Sequence, residues 1–296
     1  MNNHIIRCVA LALVVLTLAA CGDDLEPTQP QDPKSTPMTF VVDYPGQTRA
    51  TATDFELGDR IGLYVADARE PLELAGNLVN NEALTFDGNK WEAGRTLYWD
   101  EDTYNAYAYY PYMPDVTSVS DQPFSVSTDQ STQKTATALG GYEASDLLFA
   151  TTKDVKASDS PVRLTFKHIM SKLKIRLIKG EDFEGDMPTT ATVYIHNIVP
   201  TATIDLQAGV ATRYVKGTRQ TITARQDGDT SYSAIIVPQR IDNRQPLIEV
   251  VMKGVSYLFE SKFQFKPGTE HLVNLIISDN PDKVKIDIGG EIQDWQ

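Results

Sequence analysis

Few residues of this 296-residue chain have the type and spacing that chemistry requires. Apart from His4, the histidines are His168, His196 and His271. None has H-x-x-x-H or H-x-x-E-H spacing, so a zinc-bearing helix of the metalloprotease kind is excluded. There is no G-x-S-x-G elbow and no phosphate-binding loop. The two cysteines, Cys8 and Cys21, both lie near the N-terminus, which leaves the body without a disulfide or a thiolate metal site. Asp100-Glu101-Asp102 is acidic but lacks the alternating ligand register of a calcium loop. The paired carboxylates of a glycosidase are defined by separation in space, which sequence spacing does not give. The expectation is no catalytic residue, no metal and no cofactor. His168 shares a parity with Phe166 and Met170 and reads as a hydrogen-bonded, half-buried side chain.

Aromatic residues are the remaining candidates. Trp91, Tyr98, Trp99, Tyr104, Tyr107, Tyr109, Tyr110 and Tyr112 fall within a short stretch. Aromatic faces stack on sugars and dominate interfaces, and the binding candidates are Trp91, Tyr98, Trp99, Tyr107 and Tyr109. The same residues are also strand formers, so core and domain interface are the plainer reading. Alternation puts Tyr107 and Tyr109 on one face of a strand and Tyr110 on the other.

The elements that would position these residues are strands. In Val162–Ile178, Val162, Leu164, Phe166, His168 and Met170 share one parity; then Leu173, Ile175 and Leu177 take the other. A slip of one residue would turn every side chain to the wrong face, so the chain must bulge or change sheet near Met170–Lys172. Asp87-Gly88-Asn89 between short apolar runs is a hairpin signal. Short strands recur at roughly ten-residue spacing with turn residues between them, and no βαβ rhythm or helix of three turns appears. The chain therefore reads as all-β and sandwich-like. A polar stretch at Gly180–Thr190 marks a boundary, giving an N-terminal sandwich over 38–180 and a C-terminal one over 181–296; Lys172–Ile178 could instead open the second. The formal charge of −13 argues against a nucleic-acid surface.

The N-terminus is an address. Arg7 precedes the apolar run Val9–Ala20, too short to span a bilayer as a stable helix, and residues 1–20 read as a secretory signal. Leu18-Ala19-Ala20-Cys21 resembles the bacterial lipobox, in which the cysteine thiol is acylated and becomes the mature N-terminus. Gly22-Asp23-Asp24 is similar to the surface-export signal of Bacteroidales lipoproteins. The proline-rich remainder of residues 21–37 reads as a tether.

Several stretches in order then carry a family resemblance: F-E-L-G-D-R-I-G-L-Y-V at Phe55–Val65, S-D-L-L-F-A at Ser145–Ala150, L-T-F-K-H-I-M-S-K-L at Leu164–Leu173, F-K-P-G-T-E-H-L-V-N-L at Phe265–Leu275 and I-G-G-E-I-Q-D-W at Ile288–Trp295. Together, behind a lipobox, they resemble the fimbrillin-like lipoproteins of Bacteroidales. The resemblance implies two tandem transthyretin-like β-sandwich domains and a non-enzymatic subunit of an outer-membrane fimbrium at the cell surface. It implies assembly with other pilus subunits by strand exchange after proteolysis. Trypsin-like cleavage then falls after Arg49, leaving Ala50 as the new N-terminus, and Cys21 carries the lipid anchor. The alternative is a monomeric surface lipoprotein that binds host or bacterial glycans or proteins through the aromatic patch.

Overall fold

The structure is a computed structural model that describes residues 36–45, 55–281, 285–287 and 292–295. Cys21, Arg49 and Ala50 lie outside the described residues.

In chain order the strands of the first part are β1 (Phe40–Asp43), β2 (Arg60–Asp67), β3 (Val79–Phe86), β4 (Trp91–Ala93), β5 (Thr103–Tyr110) and β6 (Gln122–Ser125). A five-residue helix, α1 (Gly141–Ser145), precedes β7 (Leu148–Lys156), β8 (Val162–Thr165), β9 (Lys167–His168) and β10 (Ser171–Lys179). Then come β11 (Thr192–Ile198), β12 (Thr201–Asp205), β13 (Val210–Arg213), β14 (Gln220–Thr223), β15 (Arg225–Gly228) and β16 (Ser231–Ile236). The chain continues through β17 (Gln239–Met252), β18 (Val255–Phe265), β19 (Thr269–Ile277), β20 (Lys285–Asp287) and β21 (Ile292–Asp294). The fold is all-β, and α1 is the sole α-helix among the described residues.

A six-stranded sheet, β4-β3-β2-β5-β7-β9, organises the first half. One face carries Ile61, Leu63, Val65, Ala106, Ala108 and Leu148 and is covered by the two-stranded β1-β8 sheet, which contributes Val162 and Leu164. The other face carries Tyr64, Tyr107, Tyr109 and Phe149 and packs into the cluster that holds Ala202, Ile204 and Ala211 of a small sheet, β13-β12-β6. The approach is close. At Gly209, where φ is +65°, a Cβ would stand 2.1 Å from the Phe149 ring. Only glycine accepts both that backbone and that distance. With both faces covered, β2 and β5 are buried almost from end to end.

The second half pairs two sheets, β15-β16-β10-β19 with β20 and β21 on its outer edge, and β14-β11-β17-β18. Strict alternation in β18 and β19 turns Tyr257, Phe259, Phe263, Val273, Leu275 and Ile277 into one shared core. The parity slip near Met170 is a change of sheet: β9 ends the first sheet at His168, Ile169 and Met170 cross over, and β10 enters between β16 and β19. Both crossing residues are buried, so the slip costs no exposed apolar surface.

The segment between β5 and α1 is stitched onto the second half. β6 pairs antiparallel with β12, and residues 128–130 add to β14 through Thr223 N–H to Thr128 O and Gln130 N–H to Thr223 O. Gln130 is fully buried. Its side-chain carbonyl accepts from Ile235 N–H at 2.7 Å while its amide donates to Ile235 O at 2.8 Å, standing in for a ladder partner. Gln130→Ala would leave both groups buried and unpaired, a loss expected to cost about 2–4 kcal/mol. Chemical denaturation of the two proteins measures it, and a midpoint unchanged from wild type would contradict the account.

Candidate functional site

The segment Thr36–Tyr44 is built to sit in a groove. Its even positions are inward: Met38 is buried, and Phe40, Val42 and Tyr44 pack half-buried against the core beneath the β1-β8 sheet. Val41, between them, is 39% exposed. Backbone bonds hold the segment at two places. Met38 N–H donates to Leu97 O at 2.8 Å, Trp99 N–H donates to Thr36 O at 3.0 Å, and Pro37 bridges Tyr98. The segment then crosses to β8 and runs parallel with it, Phe40 opposite Val162 through Asp43 opposite Thr165. Val162 N–H to Thr39 O and Phe166 N–H to Asp43 O close the two ends of that ladder.

Side chains fix the register. Both carboxylate oxygens of Asp43 meet the Arg163 guanidinium at 2.7 Å, and Thr165 Oγ1 donates to Asp43 at 3.1 Å. The guanidinium is largely exposed, so this pair selects position more than it adds stability. A groove of about 390 Å³ runs along the strand, lined in part by Met38, Phe40, Leu84, Trp91 and Leu97.

Beyond β1 the chain enters an aromatic cluster. The Tyr44 ring stands edge-on to Phe55 at 5.1 Å, and Phe55 contacts Trp91, Tyr110 and Phe166 at 4.9, 5.4 and 5.7 Å. The two described ends of the segment that contains Arg49 and Ala50 thus meet ring to ring. Tyr44 also stands edge-on to His168, 6.0 Å away.

His168 joins both ends of the described chain. It is buried, and its Nδ1 donates to Asp146 Oδ1 at 2.8 Å. The Trp295 indole lies flat on the imidazole, with centroids 3.6 Å apart and planes 9° from parallel. Trp295 N–H donates to Gly268 O, and the Lys172 ammonium, itself paired with Glu270, lies 5.5 Å above the indole. The hydrogen bond expected for His168 is present, and the side chain is buried rather than half-buried. Its stacking partner was not legible in sequence, because Trp295 reaches it only through the pairing of β21 with β19.

The five aromatic binding candidates do not form one surface. Trp99, Tyr107 and Tyr109 are each 2% exposed, because both faces of the β5 sheet are covered. The Tyr107 hydroxyl accepts from Lys153 Nζ at 2.8 Å, and the Tyr109 hydroxyl bonds Asn81. Burial raises the Tyr109 phenol well above its ordinary pKa. Tyr98 is half exposed beside Pro37. Trp91 stacks on Phe86 and belongs to the Tyr44–Phe55 cluster. Trp91 and Trp99 belong to the core beneath the first strand, while Tyr107 and Tyr109 lie on the opposite face of the sheet, against β13-β12-β6. In the acidic run, Asp102 pairs with Arg69 at 2.9 Å.

The fold is a set of covered β-sheets whose first strand is seated between partners distant in sequence. The fimbrillin-like family profile matches residues 48–295, and the chain belongs to that family. It is 26% identical over 310 residues to a Bacteroides uniformis protein named "Putative fimbrium subunit Fim1C", covering 100% of this chain and 96% of that one. A crystal structure of a "putative cell adhesion protein" from Bacteroides uniformis superposes with a TM-score of 0.67 at 22% identity, covering 90% of this chain and 100% of the other. A second, from Bacteroides ovatus, gives 0.67 at 20% identity over 88% and 98%. These two share the fold.

Trp295→Ala removes the indole from His168 and Lys172. The expected loss is about 1–2 kcal/mol, with faster amide hydrogen exchange at Thr269–His271, where β21 pairs with β19. Unchanged exchange there would show that the stack does not hold the C-terminal strand.

Proposed function

We propose that this chain is a structural or adhesive subunit of an outer-membrane fimbrium, carried to the cell surface as a lipoprotein acylated at Cys21 and assembled by strand exchange after cleavage between Arg49 and Ala50. The observation that carries the reading is the seat of Thr36–Tyr44. The strand is held by backbone pairing and burial against segments remote in sequence, and the connector that contains Arg49 is its covalent route onward to β2. Cleavage would turn an intramolecular strand into a separate ligand, reducing its effective concentration at the seat. Its departure would bare Val162–Thr165 and the Met38, Phe40 and Val42 sites, an edge that a strand of another subunit can fill. Membership of the fimbrillin-like family supports the reading. Within it the chain is non-catalytic and its partners are other pilus subunits.

The donor proposed here is the C-terminal stretch 284–295. It would first leave β19, where β20 and β21 now form the sheet edge, and withdraw Trp295 from His168. The two tandem sandwiches are part of the same proposal, and the pairing of β10 with β16 and β19 supports the second opening at Lys172–Ile178 rather than at Gly180–Thr190. Interlock through β6 and Gln130 would make the two unfold together.

Trypsin-like treatment of the soluble protein is expected to yield a chain starting at Ala50, followed by a ladder of polymers on native gels, whereas Arg49→Ala stays monomeric. Polymerisation of the mutant to the wild-type extent would refute strand release at this bond. In cells, metabolic fatty-acid labelling is expected in the wild type and absent in Cys21→Ser; label retained in the variant would place the lipid elsewhere.

A further inference from the structure

The outer face of the β14-β11-β17-β18 sheet is deformed at one place from two sides. The β11–β14 register shifts between Ile195 and Ile198, and the β17–β18 register shifts between Pro246 and Ile248. Pro246 has no N–H to give to a ladder. Asn197 satisfies the proline's carbonyl: it adopts φ +62°, rare for a residue with a side chain, and its Nδ2 donates to Pro246 O at 2.8 Å. Paired bulges and a left-handed non-glycine residue are features that sheets concentrate at binding sites. Here they open a shallow cleft of about 410 Å³, within the ~300–1,000 Å³ range of small-molecule sites.

Across the cleft runs a hydrogen-bonded row drawn from all four strands. The Thr221 hydroxyl meets His196 Nδ1 at 2.9 Å, His196 Nε2 donates to Glu249 Oε2 at 2.8 Å, and the Ser256 hydroxyl donates to Glu249 Oε1 at 2.6 Å. His196 and Glu249 are each about a quarter exposed, so the row is fixed yet reachable. The Ser256 hydroxyl, and the imidazole after it, hold the Glu249 carboxyl below its ordinary pKa against the opposing effect of burial. At the rim the exposed Arg219 guanidinium is steadied by Gln245 at 3.1 Å. Leu258, 45% exposed, and Pro246 supply an apolar bed.

This combination selects a ligand by elimination. An apolar molecule would desolvate the row without repaying it. An anion would meet the ionised Glu249 at the centre. A metal ion would find one carboxylate, and no group of three metal-ligating side chains stands together among the described residues. A pyranose ring fits: its hydroxyls donate and accept at once, and its C–H face can lie on Leu258 and Pro246.

We propose that this cleft binds a neutral pyranose unit of a glycan, with Glu249 accepting from ring hydroxyls, Arg219 donating to them and Leu258 beneath the ring. The site is independent of strand exchange, so it would give a fimbrial subunit an adhesive contact that survives polymerisation. The test is saturation-transfer difference NMR on the monomeric Arg49→Ala protein, with the methyl glycosides of glucose, galactose, mannose and N-acetylglucosamine at millimolar concentration. Transfer to ring protons of at least one probe is expected. It should weaken about tenfold in Glu249→Gln, which removes a charge-assisted hydrogen bond without changing shape, and also in Leu258→Lys. Tyr98→Ala, at the exposed residue of the aromatic stretch, should leave it unchanged. Absence of transfer from all four probes overturns the proposal, as does a loss confined to Tyr98→Ala. Polymerisation by wild-type protein is unaffected by either result, so failure here and failure of strand exchange are read separately.

Discussion

The parallel pairing of β1 with β8 is the constraint on which the proposed assembly depends. Parallel neighbours cannot be joined by a tight turn; they need a crossover. Here the crossover contains most of the first sheet, and the strands it joins lie about 120 residues apart in sequence. No hairpin therefore ties the first strand to its partner. Its other neighbour, the Leu97–Trp99 segment, is equally non-local. A strand placed this way depends on the rest of the fold for its seat, while the sheet beneath keeps its own ladders from β4 to β9. The first strand is a cover laid over that sheet.

That cover explains why the aromatic stretch misleads. A half-buried sheet shows one apolar face, and alternation in β5 would then expose either Tyr110 or Tyr107 and Tyr109. The structure buries both faces, one under β1-β8 and the other under β13-β12-β6, so neither parity reaches solvent. Gly62 records the crowding. A Cβ there would lie 2.3 Å from the Tyr109 ring, directly across the strand pair. A strand buried on both sides reads as a continuous apolar run, and tyrosine-rich β5 meets that description only once its hydroxyl partners are known.

Much of the framework was legible because it is written in period. The slip between Phe166 and Leu173 located the change of sheet, and Asp87-Gly88 located the turn between β3 and β4. Elements were lost where polarity or proline broke the period. β17 begins at Gln239, but its first half is polar and carries Pro246 at a bulge, so only the apolar end from Leu247 was readable. β7 runs on to Lys156 past its apolar start, through residues that show mixed exposure. β13, β15 and β21 are three or four residues long and carry too little pattern to be separated from turns. The site was half legible. Met38–Tyr44 reads in sequence as a strand of mixed apolar pattern and Arg49 has its place after it, but the inward parity and the seat made by Leu97–Trp99, Val162–Thr165 and Phe55 come only from tertiary structure. Trp295 on His168 and the four-strand row at Glu249 are of the same non-local kind.

The geometry of the seat also constrains what can replace the first strand. Inward positions fall at Met38, Phe40, Val42 and Tyr44, a period of two that any occupant must match to fill the same space. Residues Val284, Ile286 and Ile288 have that period, with three apolar side chains where the resident strand has four. The orientation of β8 matters as much. Val162 and Phe166 offer their N–H groups to an occupant that runs parallel; an antiparallel strand would take a different set of donors and place its side chains in shifted positions. An occupant drawn from a second copy makes a head-to-tail contact, because seat and donor are different surfaces of one chain. Such contacts propagate into filaments unless the rotation closes a ring. In the proposed assembly, filament growth would follow from where the first strand sits, with the strand's removal as the step that permits it.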